Sequence, residues 1–260
     1  MNIPTDDRGL LLGDGLFETV LWLADGPVLF EAHAERMIRG CEVLGLPAPE
    51  PDALLDAATR AAASINAPRI AVRLTWTAGS GGRGLDRPTG IEPRLFASAA
   101  PSPKPEGLAS LFTSAVRRNQ GSPASRLKSV AYLDNVLARR EARTAGADEA
   151  LMLSTTGEAA CAAVANLFWF EDGDLLTPAL ACGVLDGIVR GEVLRVAAGI
   201  GLKAREVHAS RADLDRASGL FLTNSLIGLR SVSTLDGRPV SPHPMLETLK
   251  AALAAQLSGI

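Results

Sequence analysis

The sequence predicts a mixed α/β (α+β) fold in two halves, and three observations carry that reading. Period-2 and period-3.6 patterns alternate along the whole chain without an internal repeat. They do not follow the regular strand–helix–strand order of a Rossmann domain. A stretch without periodicity, rich in Gly, Pro and Ser, interrupts them at Arg117–Arg126 and reads as an interdomain linker. The predicted division is a smaller N-terminal α/β domain over 1–116, a linker over 117–126 and a larger C-terminal domain over 127–260. The 260 residues, 47% hydrophobic and 21% charged, suffice for two cores and an enclosed site.

The elements follow in order. Leu16 to Leu23 alternates apolar and polar residues, turns at Asp25-Gly26 and resumes at Val28 to Phe30, the pattern of a hairpin. Helical spacing follows over His33 to Leu44 and Pro51 to Ile65. Arg69 to Trp76 is a strand ending in the glycine-rich run Ala78 to Gly84. Leu95 to Ala99 and Leu108 to Val116 are two more strands. Past the linker, Val130, Leu133, Val136 and Leu137 fall at helical spacing, with Gly146 as the stop. Strands are predicted at Glu149 to Leu153, Ala160 to Phe170, Asp174 to Leu176, Ala204 to His208 and Leu220 to Thr223. Helices are predicted from Gly187 to about Ala198 and from Met245 onward.

Composition removes several function classes. Lys and Arg number 26 against 29 Asp and Glu, a net charge of −3, so the chain lacks the basic field that nucleic-acid binding requires. Three cysteines are too few for a disulfide framework, and the odd count fits a reducing compartment. The first residues have no signal-peptide pattern, and the longest apolar stretch falls short of the roughly 20 residues that span a bilayer. The expectation is a cytoplasmic protein with no membrane and no nucleic-acid partner.

The candidate chemistry begins with lysine, of which there are four. Lys104 lies between prolines, Lys203 follows a Gly-Ile-Gly turn and Lys250 belongs to a terminal amphipathic helix; all three read as solvated. Lys128 follows the linker and opens a helix beside Leu127, Val130, Tyr132 and Leu133. It reads either as a helix-start lysine with its head in water or as a desolvated Schiff-base amine. Two segments could hold a phosphate: Leu185 to Arg190, where the N–H groups of Gly187, Ile188 and Val189 would face an anion, and Thr223-Asn-Ser225 at a strand end. The Gly79-Ser-Gly-Gly-Arg-Gly84 run lacks the Lys-Ser/Thr of a P-loop and a following helix, but Arg83 could clamp a carboxylate. His33, His208 and His243 show no metal-ligand spacing, so no metal is expected, and there is no Gly-x-Ser-x-Gly elbow.

Read together, these segments resemble the class IV aminotransferases, the fold type IV pyridoxal-phosphate enzymes, and among them most closely 4-amino-4-deoxychorismate lyase. The resemblance rests on Asp7 to Thr19, His33-Ala-Glu-Arg-Met37, Leu127-Lys-Ser129, Gly146 to Leu151, Asn166-Leu-Phe168, Thr177-Pro178, Gly187-Ile-Val-Arg190 and Thr223-Asn224. It implies a two-domain fold with the cofactor between the domains, a cofactor-binding C-terminal domain and a homodimer. It implies that Lys128 carries pyridoxal phosphate as a Schiff base and moves the proton. Arg36 would hold the cofactor phosphate, with Gly187, the amides of Ile188 and Val189, Asn224 and Ser225; Asn166 belongs to the same set. Tyr132 would reach the phenolic oxygen or else pack in the core. Thr19 and Arg83 would line the substrate site.

One position departs from the family. The glutamate expected five residues before Asn166, where it would pair with the pyridine nitrogen, is Cys161; Glu158 is at an odd offset and would face the other side of a strand. A thiol holds the pyridinium proton poorly, so the ring is a weaker electron sink, which favours elimination over transamination. The lyase branch is also suggested by the Gly79–Gly84 run, by Gly13 to Thr19, by Val189 in place of a threonine and by Leu12 in place of a tyrosine. The leading reading is a lyase forming 4-aminobenzoate and pyruvate for folate-type synthesis. The alternatives are an aminotransferase of D-, branched-chain or other small amino acids, and a vestigial member altered at Cys161.

Overall fold

A computed structural model describes residues 3–257. The elements in chain order are α1 (Arg8–Leu12), β1 (Gly15–Leu23), β2 (Gly26–Pro27), α2 (Phe30–Leu44), α3 (Pro51–Ala63), β3 (Ile70–Thr77), β4 (Arg94–Pro101) and β5 (Ala109–Arg118). They continue with α4 (Leu133–Thr144), β6 (Glu149–Ser154), β7 (Ala159–Ala162), β8 (Asn166–Glu171), β9 (Asp174–Pro178), α5 (Ile188–Gly199), β10 (Ala204–Val207), β11 (Gly219–Asn224), β12 (Gly228–Leu235), β13 (Arg238–Pro239) and α6 (Met245–Leu257). Short 3₁₀ turns lie at Pro123–Arg126, Leu180–Cys182 and Asp213–Arg216. The fold is mixed α/β, as the sequence predicts. No helix among the described residues is long and apolar enough to cross a membrane.

The chain divides into two compact units, but not where the composition suggested. The first is Met1–Lys104 with Leu127–Tyr132; the second is Pro105–Arg126 with Leu133–Ile260. β5 was expected in the N-terminal half, yet it pairs in parallel with β6 and with β12, so hydrogen bonding assigns it to the second unit. Residues 117–126 are not a free linker: β5 runs to Arg118 and a 3₁₀ turn closes the segment. The Arg118 guanidinium donates to the Ser125 and Gly183 carbonyls and to Asn135 Oδ1.

In the first unit an antiparallel sheet of order β2-β1-β3-β4 carries α2 and α3 on one face. Alternation decides which residues meet the helices: Val20, Ile70, Val72 and Leu74 pack with Phe30, Ala34, Met37, Leu54 and Ala58. Burial of each Val, Leu, Ile, Met or Phe side chain among these contributes about 1.5–3 kcal/mol, and each alanine less. The 127–132 segment returns to this unit because the edge of β1 is open there. The Phe17 amide donates to the Lys128 carbonyl (2.8 Å) and the Val130 amide to the Gly15 carbonyl (3.0 Å), with Leu16 and Ser129 facing one another. Lys128 therefore lies in an extended segment rather than at a helix start, and α4 begins only at Leu133.

The second unit is built on a nine-stranded mixed sheet, order β10-β9-β8-β11-β12-β5-β6-β7, with β13 on β12. Its two parallel crossovers are β5–α4–β6 and β9–α5–β10. α5 and α6 cover Phe168, Phe170 and Phe221, while the opposite cluster holds Leu151, Leu167, Trp169, Leu220 and Leu222. The single strand expected from Ala160 to Phe170 is two, β7 and β8, because the Ala162 amide turns back to the Ala165 carbonyl (2.8 Å). α1, β12 and β13 carry no periodic signal of their own and were not foreseen.

Candidate active site

In the first unit the candidate residues gather around β1. Phe17, Thr19 and Arg73 share the sheet face away from the helices, because Thr19 stands opposite Arg73 in the antiparallel register. The edge pairing of Lys128 with Phe17 sets its side chain on that same face. Its Nζ lies 4.5 Å from the Phe17 ring centroid and 5.6 Å from that of Tyr132. The Phe17 and Tyr132 rings meet edge to face at 5.0 Å. Arg73 stacks on Phe17, its guanidinium carbon 3.6 Å from the ring centroid. Lys128 is half-buried in this dense surround, and its pKa falls to about 8. Desolvation is the main cause; the Glu18 carboxylate opposes it, while the positive charges of Arg36 and Arg73 reinforce it. A lysine with that pKa is partly neutral, and hence nucleophilic, near neutral pH.

On the helix face of β1, Glu18 is buried against α2. Arg36 donates from Nε to Oε1 (2.8 Å) and from Nη2 to Oε2 (2.7 Å), and His33 Nδ1 lies 2.7 Å from Oε2. Burial alone would raise the Glu18 pKa, but Arg36 and then His33 outweigh it and hold the carboxyl at about 2. Desolvation lowers the His33 pKa, leaving a neutral ring that donates from Nδ1. Arg36, expected as a phosphate ligand, thus has its guanidinium plane set by a two-point ion pair. Glu18 and Arg73 were not singled out in the sequence, and His33 was named only as part of its motif and as a histidine without metal-ligand spacing. An acidic residue at an inward position of an alternating strand was the available signal for Glu18. Arg83 lies apart, exposed on its loop and bridged to Asp86. That loop is held instead by Arg8, which donates to the carbonyls of Gly81, Leu85 and Asp86.

In the second unit the anion-binding features cluster at the start of α5. Gly187 is the N-cap and offers no side-chain acceptor to the first-turn amides. A Cβ there would fall 1.9 Å from Asn166 Oδ1, so any side chain at this position must displace the Asn166 amide. Asn166 in turn donates from Nδ2 to the Leu185 carbonyl (2.9 Å), fixing the approach to the helix. Ile188 is half-buried and Val189 is buried in the core under the helix. The buried Arg190 pairs with Glu206 on β10 at 2.8 Å. Thr223 Oγ1 is buried without a hydrogen-bond partner among the described residues. Asn224 has both ends of its amide engaged: Oδ1 accepts from the amides of Leu226 and Ile227 (2.9 Å each), and Nδ2 donates to the Val164 carbonyl. Its side chain shapes the turn that presents Ser225, which is half-buried. Uncapped helix amides beside an orphaned buried hydroxyl suit an anion such as a phosphate.

Cys161 is buried in β7, in a cluster with Ala138, Ala142, Met152 and Cys182. Burial raises its thiol pKa, against which the Arg118 charge acts. Glu158 does not substitute for it; its carboxylate is bonded to His208 Nδ1 at 2.8 Å.

Against known proteins, the family Amino-transferase class IV matches residues 15–235. A branched-chain-amino-acid aminotransferase of Pseudomonas aeruginosa is 30% identical over 95% of this chain and 85% of its own length. An aminodeoxychorismate lyase of Bacillus subtilis is 30% identical over 85% of this chain and 77% of its own. A Legionella pneumophila crystal structure, provisionally named 4-amino-4-deoxychorismate lyase, superposes with a TM-score of 0.92 at 28% identity, covering 98% of this chain and 95% of that one. The chain belongs to the class IV aminotransferase family, a family of pyridoxal-phosphate enzymes.

Proposed function

We propose that the chain is a pyridoxal-phosphate-dependent lyase that converts 4-amino-4-deoxychorismate to 4-aminobenzoate and pyruvate. When bound, the cofactor supplies the electron sink for charge leaving the carbon beside the substrate nitrogen. By the family resemblance Lys128 would be the amine that anchors it, and the uncapped amides at Ile188 and Val189, with Thr223 and the turn at Asn224–Ser225, would receive its phosphate. Arg36, held flat by Glu18, adds positive charge to the Lys128 surround and lowers the lysine's proton affinity.

In the reaction, Lys128 takes the proton from the amine-bearing ring carbon and, with a pKa near neutrality, can return it. The C–O bond to the enolpyruvyl group breaks, the ring becomes aromatic, and the released enol takes up a proton to give pyruvate. Phe17 and Tyr132 keep water from the amine. Arg73, an exposed residue whose guanidinium shares the Phe17 ring with the Lys128 amine, is a better clamp for a substrate carboxylate than Arg83, which lies on the outer loop; Thr19 lies next to it across the strand pair.

The observation that carries the lyase reading is Cys161. With a thiol at the strand position where the family resemblance expects a carboxylate, the ring nitrogen has no anionic partner there. Aromatisation supplies the driving force that a weak sink does not. The 30% identity to a branched-chain aminotransferase favours the second reading, transamination. Purified holoenzyme given 4-amino-4-deoxychorismate should release 4-aminobenzoate and pyruvate in equal amounts. Exchange of an amino group between leucine or D-alanine and a 2-oxo acid, without that release, would overturn the lyase in favour of the transaminase. Absence of both would favour the vestigial reading. The active form is proposed to be a homodimer, consistent with the exposed leucines Leu10, Leu11 and Leu12 of α1, and sedimentation tests it.

A further inference from the structure

Among residues given no part in the proposed reaction, three side chains of different chemistry converge in the second unit. Glu158 lies in the turn between β6 and β7, Cys182 ends the 3₁₀ turn Leu180–Cys182, and His208 follows β10. Cys182 Sγ is 3.6 Å from His208 Nδ1 and 3.8 Å from Glu158 Oε2, and His208 Nδ1 is 2.8 Å from Glu158 Oε1. One ligand atom from each lies within 4.8 Å of the others. Cys182 is buried, Glu158 half-buried and His208 exposed, so the cluster opens to solvent on one side.

A nucleophile–base relay does not fit this arrangement. In a relay the base presents one ring nitrogen to the nucleophile and the other to the carboxylate. Here thiol and carboxylate both address Nδ1 of His208. Three donors around one point is the geometry of ligation. Tetrahedral zinc with Zn–S of about 2.3 Å and Zn–N of about 2.05 Å places sulfur and nitrogen about 3.6 Å apart. That is the separation between Cys182 and His208. The sulfur–carboxylate distance, to Oε2 rather than to the Oε1 that meets His208, is a few tenths of an ångström wide of the same ideal. The His208–Glu158 contact must open by roughly half an ångström, which the exposed imidazole allows.

We propose that Glu158, Cys182 and His208 form a binding site for a divalent transition-metal ion, zinc by donor chemistry, with a water as fourth ligand. A thiolate, an imidazole and a carboxylate form a mixed soft and borderline set that suits zinc rather than calcium or magnesium. The charges close as well: the thiol loses its proton to solvent, the imidazole proton moves from Nδ1 to Nε2, and thiolate plus carboxylate neutralise the ion. The bound metal ties the β6–β7 turn to the end of β10 and to the segment that leads into α5. The site is independent of the reaction proposed above. Its ligands are separated by 24 and 26 positions along the chain, which is why no spacing motif announced it.

The test uses holoenzyme stripped of metal on a chelating resin and then titrated with Zn2+, and with Co2+ as a spectroscopic probe. One ion per chain should bind, Co2+ should give the strong red-region bands of a four-coordinate site, and Zn2+ should raise Tm by roughly 5 °C or more. Cys182→Ser should remove the Co2+ bands. Because Cys182 is fully buried, His208→Ala and Glu158→Gln, on the open side, carry the test if that variant does not fold. Each should weaken Zn2+ binding by roughly 10–100-fold or more and abolish the Tm rise. Absence of saturable Zn2+ binding, or binding undiminished in His208→Ala and Glu158→Gln, overturns the proposal.

Discussion

Glu18 holds Arg36 through two parallel hydrogen bonds of 2.8 and 2.7 Å, one strand and one helix joined at a single carboxylate that also receives His33. The pair lies on the helix face of β1, one residue from Phe17, whose ring faces the Lys128 amine on the other side. One strand therefore links a buried ion pair to the reactive lysine.

That pair predicts an acid limb of stability. The Glu18 pKa falls from 4.5 in the unfolded chain to about 2 when folded, so its contribution is full above pH 4.5 and is lost as pH falls through about 2. Glu18→Gln should flatten this part of the pH profile of the urea midpoint. At neutral pH it should cost about 3–5 kcal/mol, because the half-buried Arg36 is left against an uncharged amide.

For Lys128, the cofactor-free chain should react with pyridoxal phosphate at a rate that rises with pH and levels off above about 8, since only the neutral amine attacks. Arg73→Met removes a nearby positive charge and should move the midpoint upward. Stopped-flow absorbance across pH reads both. Lys128→Ala should lower turnover by about 10²–10⁴-fold or more while leaving the circular dichroism unchanged.

At α5, Gly187→Ala drives a methyl into Asn166 and should cost about 1–3 kcal/mol, with a matching loss of cofactor affinity. Adding Asn166→Ala removes the clashing oxygen. A double-mutant cycle in Tm and in cofactor Kd should show the two changes to be less than additive. Full additivity would mean the contact does not set the helix entrance.

Asn224→Ala removes the Oδ1 acceptor of two turn hydrogen bonds and should cost about 1–3 kcal/mol. Asn224→Asp keeps both acceptor bonds. It should therefore retain most of the stability yet weaken cofactor binding, by placing a negative charge beside the phosphate site. A calorimetric melt paired with a cofactor titration separates turn from ligand.

Cys161→Glu restores a carboxylate to β7 and should raise the ratio of transamination to elimination, measured as 2-oxo acid-dependent amino transfer against 4-aminobenzoate release. An unchanged ratio would remove Cys161 from the argument for the lyase.

Much of the site was legible because its parts are local. Gly187 before an amphipathic helix, Lys128 among scarce lysines and His33-Ala-Glu-Arg36 after a hairpin are each visible within a few residues. The partners were not. Arg73 reads as an ordinary outward strand residue until the β1–β3 register sets it opposite Thr19 and on Phe17. Asn224 reads as a ligand until the turn engages both ends of its amide. The 117–126 stretch has linker composition, but β5 extends through its start because β6 and β12 satisfy its backbone.

By itself the sequence determined the fold class, most element positions, the family, and the scarcity of lysine that marks Lys128. Those properties rest on periodicity and on motifs a few residues long. Only the tertiary structure decided which charges meet. It brought Lys128 to the open edge of β1 in an extended segment, closed Arg36 on Glu18, and gathered Glu158, Cys182 and His208 from three separate segments. The physical reason is strand pairing. A register places residues tens of positions apart within hydrogen-bonding reach, and only there do desolvation and neighbouring charge set what each side chain can do.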